Sequence, residues 1–252
     1  MTSTVPAAPS VVAAPAVTGS ALLTYIDEAS GERVDLTAAD LGDWAARSAA
    51  LLRDGCGLRP GDTVAVLLPP HWQSAAVLLG AWAAGLTVAF RPWATAGLAG
   101  DDDGPYDAVF VSRQRLRSPL EVVPQARHRF VVDTAPPGAA PELTPSGYRD
   151  FLAEAGTHGC EPPAYETVRA GDAASPDGTT YQQWRVIAEG IAAELGLAAG
   201  DRLAVDVAAE EQPVKWLLTP LSVGASVLLC ANCDTHAFAT RVATEGVTHV
   251  LG

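Results

Sequence analysis

The sequence predicts an α/β fold: two repeated, layered halves, each built on a mainly parallel sheet. Three observations predict it. The segment Leu58-Arg59-Pro60-Gly61-Asp62-Thr63-Val64-Ala65-Val66 returns as Leu197-Ala198-Ala199-Gly200-Asp201-Arg202-Leu203-Ala204-Val205, and the same offset carries Gly85 onto Gly224. Short apolar runs of strand length alternate with segments of helical period, the order that gives parallel sheets with helices on their faces. Hydrophobic residues make up 48% of the 252, enough for a sizeable core.

Residues 1–20 are rich in Ala, Pro, Val, Ser and Thr, hold no Lys or Arg, and read as a disordered leader rather than a signal peptide. Leu22–Asp27 and Arg33–Leu36 form a hairpin around Ser30-Gly31. Thr37 caps a helix whose apolar face is Leu41, Trp44, Ala45, Ser48, Leu51 and Leu52, and Gly55 and Gly57 stop it. Val64–Leu68 is a strand buried on both faces, ended by Pro69-Pro70. Trp72–Ala84 is a second, apolar helix, and Leu86–Phe90 returns as a strand. Ala108–Ser112 and His128–Asp133 are further strands. The proline-rich stretch 134–146, with Pro136, Pro137, Pro141 and Pro145, and the stretches 156–163 and 170–178 read as loop. The second copy follows as Tyr181–Leu195, Arg202–Val207, Val214–Val223 and Ser226–Cys230, then a helix Thr235–Glu245 and a strand Val247–Leu251. The expected organisation is therefore a leader (1–20), a first half (21–140), a linker with a degenerate loop (141–178) and a second half (179–252).

The net charge of −13 argues against nucleic acid or an anionic membrane surface as the main partner, because phosphate binding needs a basic face. The longest apolar run, Ala75 to Phe90, is interrupted by Gly80 and Gly85 and is too short for a membrane span. Four cysteines without a secretory signal point to reduced thiols in a cytoplasm.

The order of these motifs resembles a known family. Leu22-Leu23-Thr24-Tyr25, residues 58–70, and Leu78-Leu79-Gly80-Ala81-Trp82-Ala83-Ala84-Gly85 are similar to the start of the AMP-dependent acyl-CoA synthetases of the adenylate-forming superfamily. Residues 195–201, 217–229 and 245–250 are similar to the segment after that family's phosphate loop. The resemblance covers about residues 22–252 and only the first half of a full synthetase. It also extends to the small stand-alone synthetase-like proteins of actinobacteria, and the high Ala, Gly and Pro content fits a GC-rich genome.

The resemblance implies a Ser/Thr/Gly-rich loop ending in Gly-x-Pro-Lys, whose lysine stabilises the phosphates. Here that stretch is Ser175-Pro176-Asp177-Gly178-Thr179-Thr180, with no Gly-x-Pro-Lys after it, and the chain's single lysine is Lys215. Asp177 would repel phosphate. Where the family has an aromatic or histidine cluster after the second-copy strand, this chain has Ala208-Ala209-Glu210-Glu211. The family's Tyr-Gly-x-Thr-Glu and Thr-Gly-Asp motifs, and its lid with a catalytic lysine, would lie beyond Gly252. No catalytic residue is therefore assigned, and the expectation leans away from an enzyme.

Other candidates are local. Gly178, Thr179 and Thr180 are the residues that would touch a nucleotide or CoA. Cys230-x-x-Cys233-x-x-His236 could hold zinc with His158 or Cys160, could be a redox pair, or could be two unrelated thiols. His71 and Trp72 are either ligand groups or a helix cap with a packed aromatic. Arg113, Arg115, Arg117, Arg127 and Arg129 either grip an acidic group or form a solvated surface balancing Asp101-Asp102-Asp103. His249 reads as structural. No Gly-x-Ser-x-Gly elbow and no Gly-x-Gly-x-x-Gly dinucleotide signature occurs.

Three functions are compatible with these features. The first is a non-catalytic binding or interaction module that retains the synthetase scaffold. The second is half of a split adenylate-forming enzyme, completed by a partner chain along the edge of the strand ending at Leu251. The third is a binder of AMP, ATP, CoA or an acyl group.

Overall fold

The computed structural model describes residues 20–95, 105–134, 142–160 and 168–251. The expected leader (1–19), Asp101–Asp103, Pro136, Pro137, Pro141 and Gly252 lie outside the described residues. In chain order the elements are β1 (Leu23–Asp27), β2 (Glu32–Leu36), α1 (Ala38–Ala50), β3 (Thr63–Leu67), α2 (Trp72–Ala83), β4 (Thr87–Phe90), β5 (Tyr106–Ser112), α3 (Arg113–Leu116), β6 (Ala126–Val132), β7 (Arg149–Asp150), α4 (Phe151–Gly156), α5 (Tyr181–Leu195), β8 (Arg202–Asp206), α6 (Thr219–Val223), β9 (Ser226–Ala231), α7 (Thr235–Thr244) and β10 (His249–Leu251).

These make two five-stranded sheets. One has the order β4-β3-β5-β6-β7 and is parallel throughout. The other has the order β10-β8-β9-β1-β2 and is parallel except for the β1–β2 hairpin. The fold class read from the sequence is the one observed.

The repeat is visible at the level of single hydrogen bonds. In the first copy the Gly61 N–H donates to the Gly85 carbonyl at 2.9 Å, and the Thr87 N–H donates to the Asp62 carbonyl at 2.9 Å. In the second copy Gly200 donates to Gly224 at 3.1 Å and Ser226 to Asp201 at 2.9 Å. The carboxylates of Asp62 and Asp201 each accept from the residue three before, Arg59 and Ala198. Gly61 and Gly200 sit at φ +92° and +87°, the left-handed region in which a side chain is strained, so the Gly-Asp pair is required by the turn.

The helices start where capping chemistry predicts. Thr37 and Asp40 form a capping box on α1, and Thr180 and Gln183 form one on α5. Helix α2 is apolar on most sides because it is covered on most sides, as are both faces of β3. It crosses α1 at Gly80, where a Cβ would lie 2.5 Å from the Ser48 Cβ and 2.7 Å from the Ala45 carbonyl oxygen. One large core joins both copies and includes Leu51, Val66, Phe110, Leu203, Trp216 and Leu229.

The structure adds detail to the expected elements in three places. The hairpin β1–β2 does not join the first sheet: Leu23 pairs with Val227 and Asp27 with Ala231, so the start of the chain completes the second sheet. Sequence proximity favoured the first half, but the strand that pairs with β1 in parallel is β9. The stretch read as linker carries β7 and α4; Asp150 caps α4, and Phe151 is buried against Phe110. The apolar stretch 214–223 is a π-helical turn, Val214–Leu218, running into the short α6, with Pro220 in its first turn. Among the described residues, no helix is long and apolar enough to cross a membrane.

Candidate functional site

The residues around the degenerate loop build the site. Ala173 and Thr180 form an isolated antiparallel bridge, and the turn between them closes on itself. The Ala174 and Ser175 N–H groups donate to the Thr179 carbonyl, and Gly178 N–H donates to the Ser175 carbonyl. The Asp177 carboxylate accepts from the Thr179 N–H at 3.0 Å and from the Ser175 hydroxyl at 2.8 Å. Those bonds, the Thr179 N–H first, hold its pKa below the usual carboxylate value. Thr180 N–H donates to the Gln183 side chain, and the Thr180 hydroxyl accepts from Gln183 N–H.

The candidate binding residues Gly178, Thr179 and Thr180 thus come together, and their N–H groups are engaged within the turn and the helix cap. Gly178 sits at φ +84° with open space around its Cβ position. The glycine serves the turn and no neighbour presses on it.

Against this loop lies a cavity of about 390 Å³. Trp82 and Trp184 flank it with Phe90, Tyr106, Pro176 and Leu218. Both indoles are anchored: the Trp82 N–H donates to the Ala174 carbonyl at 3.3 Å and the Trp184 N–H to the Ser175 hydroxyl at 3.1 Å. Arg91 adds a cation 5.7 Å from the Tyr106 ring centroid and donates to its hydroxyl at 3.2 Å. The volume is in the range of small-molecule sites, and the wall is chiefly aromatic and apolar. The wall crosses both copies and the loop between them. Sequence reasoning marked Trp184 only as a helix residue, since no local motif brings it to Trp82.

The acidic segment after β8 also spans the copies. The Glu211 carboxylate accepts from Trp93 N–H at 2.7 Å and Ala94 N–H at 3.3 Å, in the loop that follows β4. The single lysine, Lys215, pairs with Glu210 at 2.6 Å.

The remaining candidates separate. Cys230 is buried near the end of β9, half-buried Cys233 packs against the same apolar cluster, and exposed His236 lies in the first turn of α7. Among the described residues, no group of three or more His, Cys, Asp and Glu side chains is arranged to hold a metal ion. His71 is the N-cap of α2: its Nδ1 accepts from Gln73 N–H at 3.2 Å, and its ring meets Tyr25 edge-on at 4.3 Å. Burial lowers its pKa to about 3.

The arginine cluster divides: Arg117 and Arg127 are exposed, as on a solvated surface, whereas Arg113 and Arg115 are buried. Arg113 is buried against Asp133 at 2.8 Å. Arg115 is 1% exposed, paired with buried Glu121 and stacked over Trp93. Helix α3 turns these side chains inward, whereas alternation along a chain suggested one exposed row. His249 lies 3.8 Å from Asp201, at the repeat turn.

With this geometry in view, comparison with known proteins becomes informative. A family model described as AMP-binding enzyme matches residues 13–95. The structure of an acyl-CoA synthetase from Brucella canis superposes with a TM-score of 0.73 at 21% identity, over 93% of this chain and 45% of that one. Acetoacetyl-CoA synthetase from Streptomyces lividans gives 0.65 at 19% identity, over 90% and 42%. The chain shares the fold of the matching part of these synthetases and spans less than half of their length. A "TIGR03089 family protein" of Mycobacterium tuberculosis is 34% identical over 234 residues, covering 91% of this chain and 90% of that protein. The chain belongs to that family.

Proposed function

We propose that this protein is a non-catalytic member of the adenylate-forming superfamily, a pseudoenzyme that serves as a small-molecule binding module. The observation that carries the reading is the Asp177 turn. In an adenylating loop, backbone N–H groups and a lysine face the phosphates. Here a carboxylate of the protein itself accepts the Thr179 N–H, and Lys215 is held by Glu210. An incoming phosphate would have to displace Asp177 and lie beside its negative charge. The aromatic cavity next to the loop supports binding without adenylation: anchored indoles make a preformed wall for a ring or an acyl chain. An AMP, ATP or CoA ligand against the same wall would lie beside Asp177, which also lines the cavity. A cytoplasmic setting belongs to this reading, with four unpaired cysteines.

ATP–pyrophosphate exchange with a panel of aromatic and aliphatic carboxylic acids tests it. The expected rate is that of the blank, while an apolar probe that fills the cavity raises the melting temperature. Exchange well above blank with any acid overturns the non-catalytic reading.

One observation favours a second reading, a split enzyme completed in trans. Strand β10 is an outer strand of its sheet, bonded on one side to β8, and Val250 on it is exposed. A co-encoded chain that confers exchange activity on mixing would establish it.

A further inference from the structure

We propose that Cys230 and Cys233 form a redox-active dithiol, a modification site that exchanges with low-molecular-weight disulfides and closes into an internal disulfide. Strand β9 ends by burying the Cys230 side chain in an apolar cluster with Ile26, Ala204 and Leu228. The chain then turns back at once. Asn232 is at φ +53°, the left-handed region, where it is the one non-glycine residue among the described residues. Its side-chain amide donates to the Asp27 carboxylate at 2.7 Å, which pins the turn to the end of β1. Asn is one of the few residues besides glycine that visit this conformation. As a result Cys233 packs against the same apolar cluster that holds Cys230, three residues away across the turn, and its thiol donates to the Ala231 carbonyl at 3.6 Å.

The two thiols differ in access, which decides which sulfur attacks first. Cys233 is half-exposed, whereas Cys230 is fully buried. Cys233 is thus the attacking sulfur and Cys230 the resolving one. The Cys233 thiolate attacks one sulfur of R–S–S–R; a Cys233–S–S–R bond forms and RS⁻ leaves, taking up a proton as RSH. Cys230 then gives up its proton, its sulfur attacks the Cys233 sulfur, the Cys230–Cys233 bond forms, and a second RSH leaves. The protein loses two hydrogens and the small disulfide gains both. Burial holds both thiols protonated at neutral pH, with Glu28 and Asp206 adding to the effect at Cys233 and Arg241 opposing it. Exchange therefore quickens as pH rises from 7 to 9. The closed form ties the end of β9 to the start of α7, a helix with no buried residue of its own.

The test uses the reduced full-length protein and oxidised glutathione, followed by alkylation and peptide mass mapping. The expected product carries a Cys230–Cys233 linkage and no bound glutathione. In Cys230→Ser, with the wild-type circular dichroism spectrum, one glutathione stays on Cys233. Cys160, also half-exposed, provides the internal reference for an ordinary thiol. Alkylation of both Cys230 and Cys233 in the treated wild type, or a glutathione that stays on wild-type Cys233, overturns the proposal.

Discussion

At the scale of single residues, two buried titratable groups near the ends of β1 and α2 set opposite pH demands. His71 is neutral in the folded state, its pKa depressed by burial from 6.5 to about 3. The unfolded chain binds a proton at this site below about pH 6.5 while the native chain does not, so its contribution is complete above that pH and declines from there towards pH 3. Glu32 runs the other way. Burial, reinforced by the Asp27 charge, raises its pKa from 4.5 to about 7. The folded state keeps that proton longer, so its contribution is complete below pH 4.5 and is lost as pH rises through 7. Urea midpoints measured from pH 3 to 8 should show His71→Asn flattening the acid limb and Glu32→Gln flattening the limb between pH 4.5 and 7. A parallel shift of the whole curve in both variants would assign these residues to packing alone. His71 was legible in the sequence as a possible helix cap, because Pro69-Pro70 precedes an apolar helix. The burial of Arg115 was not, because its partner Glu121 and its ring partner Trp93 become neighbours only in the fold.

At the scale of elements, the contact between α1 and α2 depends on the absence of one side chain. A methyl group at Gly80 would meet the Ser48 Cβ, the Ala45 carbonyl and the Ala49 N–H, all within 3.0 Å and two of them backbone atoms that cannot rotate away. Gly80→Ala should therefore destabilise the protein by about 1–3 kcal/mol, the usual cost of overpacking, even though alanine favours a helix. Thermal unfolding measures it; an unchanged or higher melting temperature would show that the helices part without cost. Most elements were legible because their signals are local: Thr37 caps, Gly61 and Gly200 turn, and the strands of the repeat are apolar runs, whereas Thr180, read as a binding residue, caps α5. Helix α4 was missed for the same reason in reverse. Its segment is short, follows a proline-rich stretch, and is stabilised by Phe151 packing against Phe110, a contact with no local trace. The candidate loop was legible in its composition, whereas the self-closure by Asp177 and the two-tryptophan wall are properties of the assembled fold.

At the scale of the whole molecule, the sequence repeat and the structural units do not share boundaries. The second sheet needs β1 and β2 beside β9, and the core runs through both copies. Residues 141–252 produced alone leave the β9 edge, including Val227 and Leu229, without its partner strand. That fragment should show no cooperative urea transition, and co-expression with residues 1–140 should restore one. A sharp transition in the isolated fragment would show that the repeat boundary is also a folding boundary.

The pairing of Leu23 with Val227 has a kinetic side as well. It joins residues about two hundred positions apart, and closing so large a loop precedes any gain from the contacts it makes. During synthesis β1 and β2 leave the ribosome about two hundred residues before β9, the strand that receives them. The hairpin must stay unpaired on its β9 side until that strand has been made. The all-parallel sheet can assemble meanwhile, and insertion of the waiting hairpin beside β9 completes the second sheet.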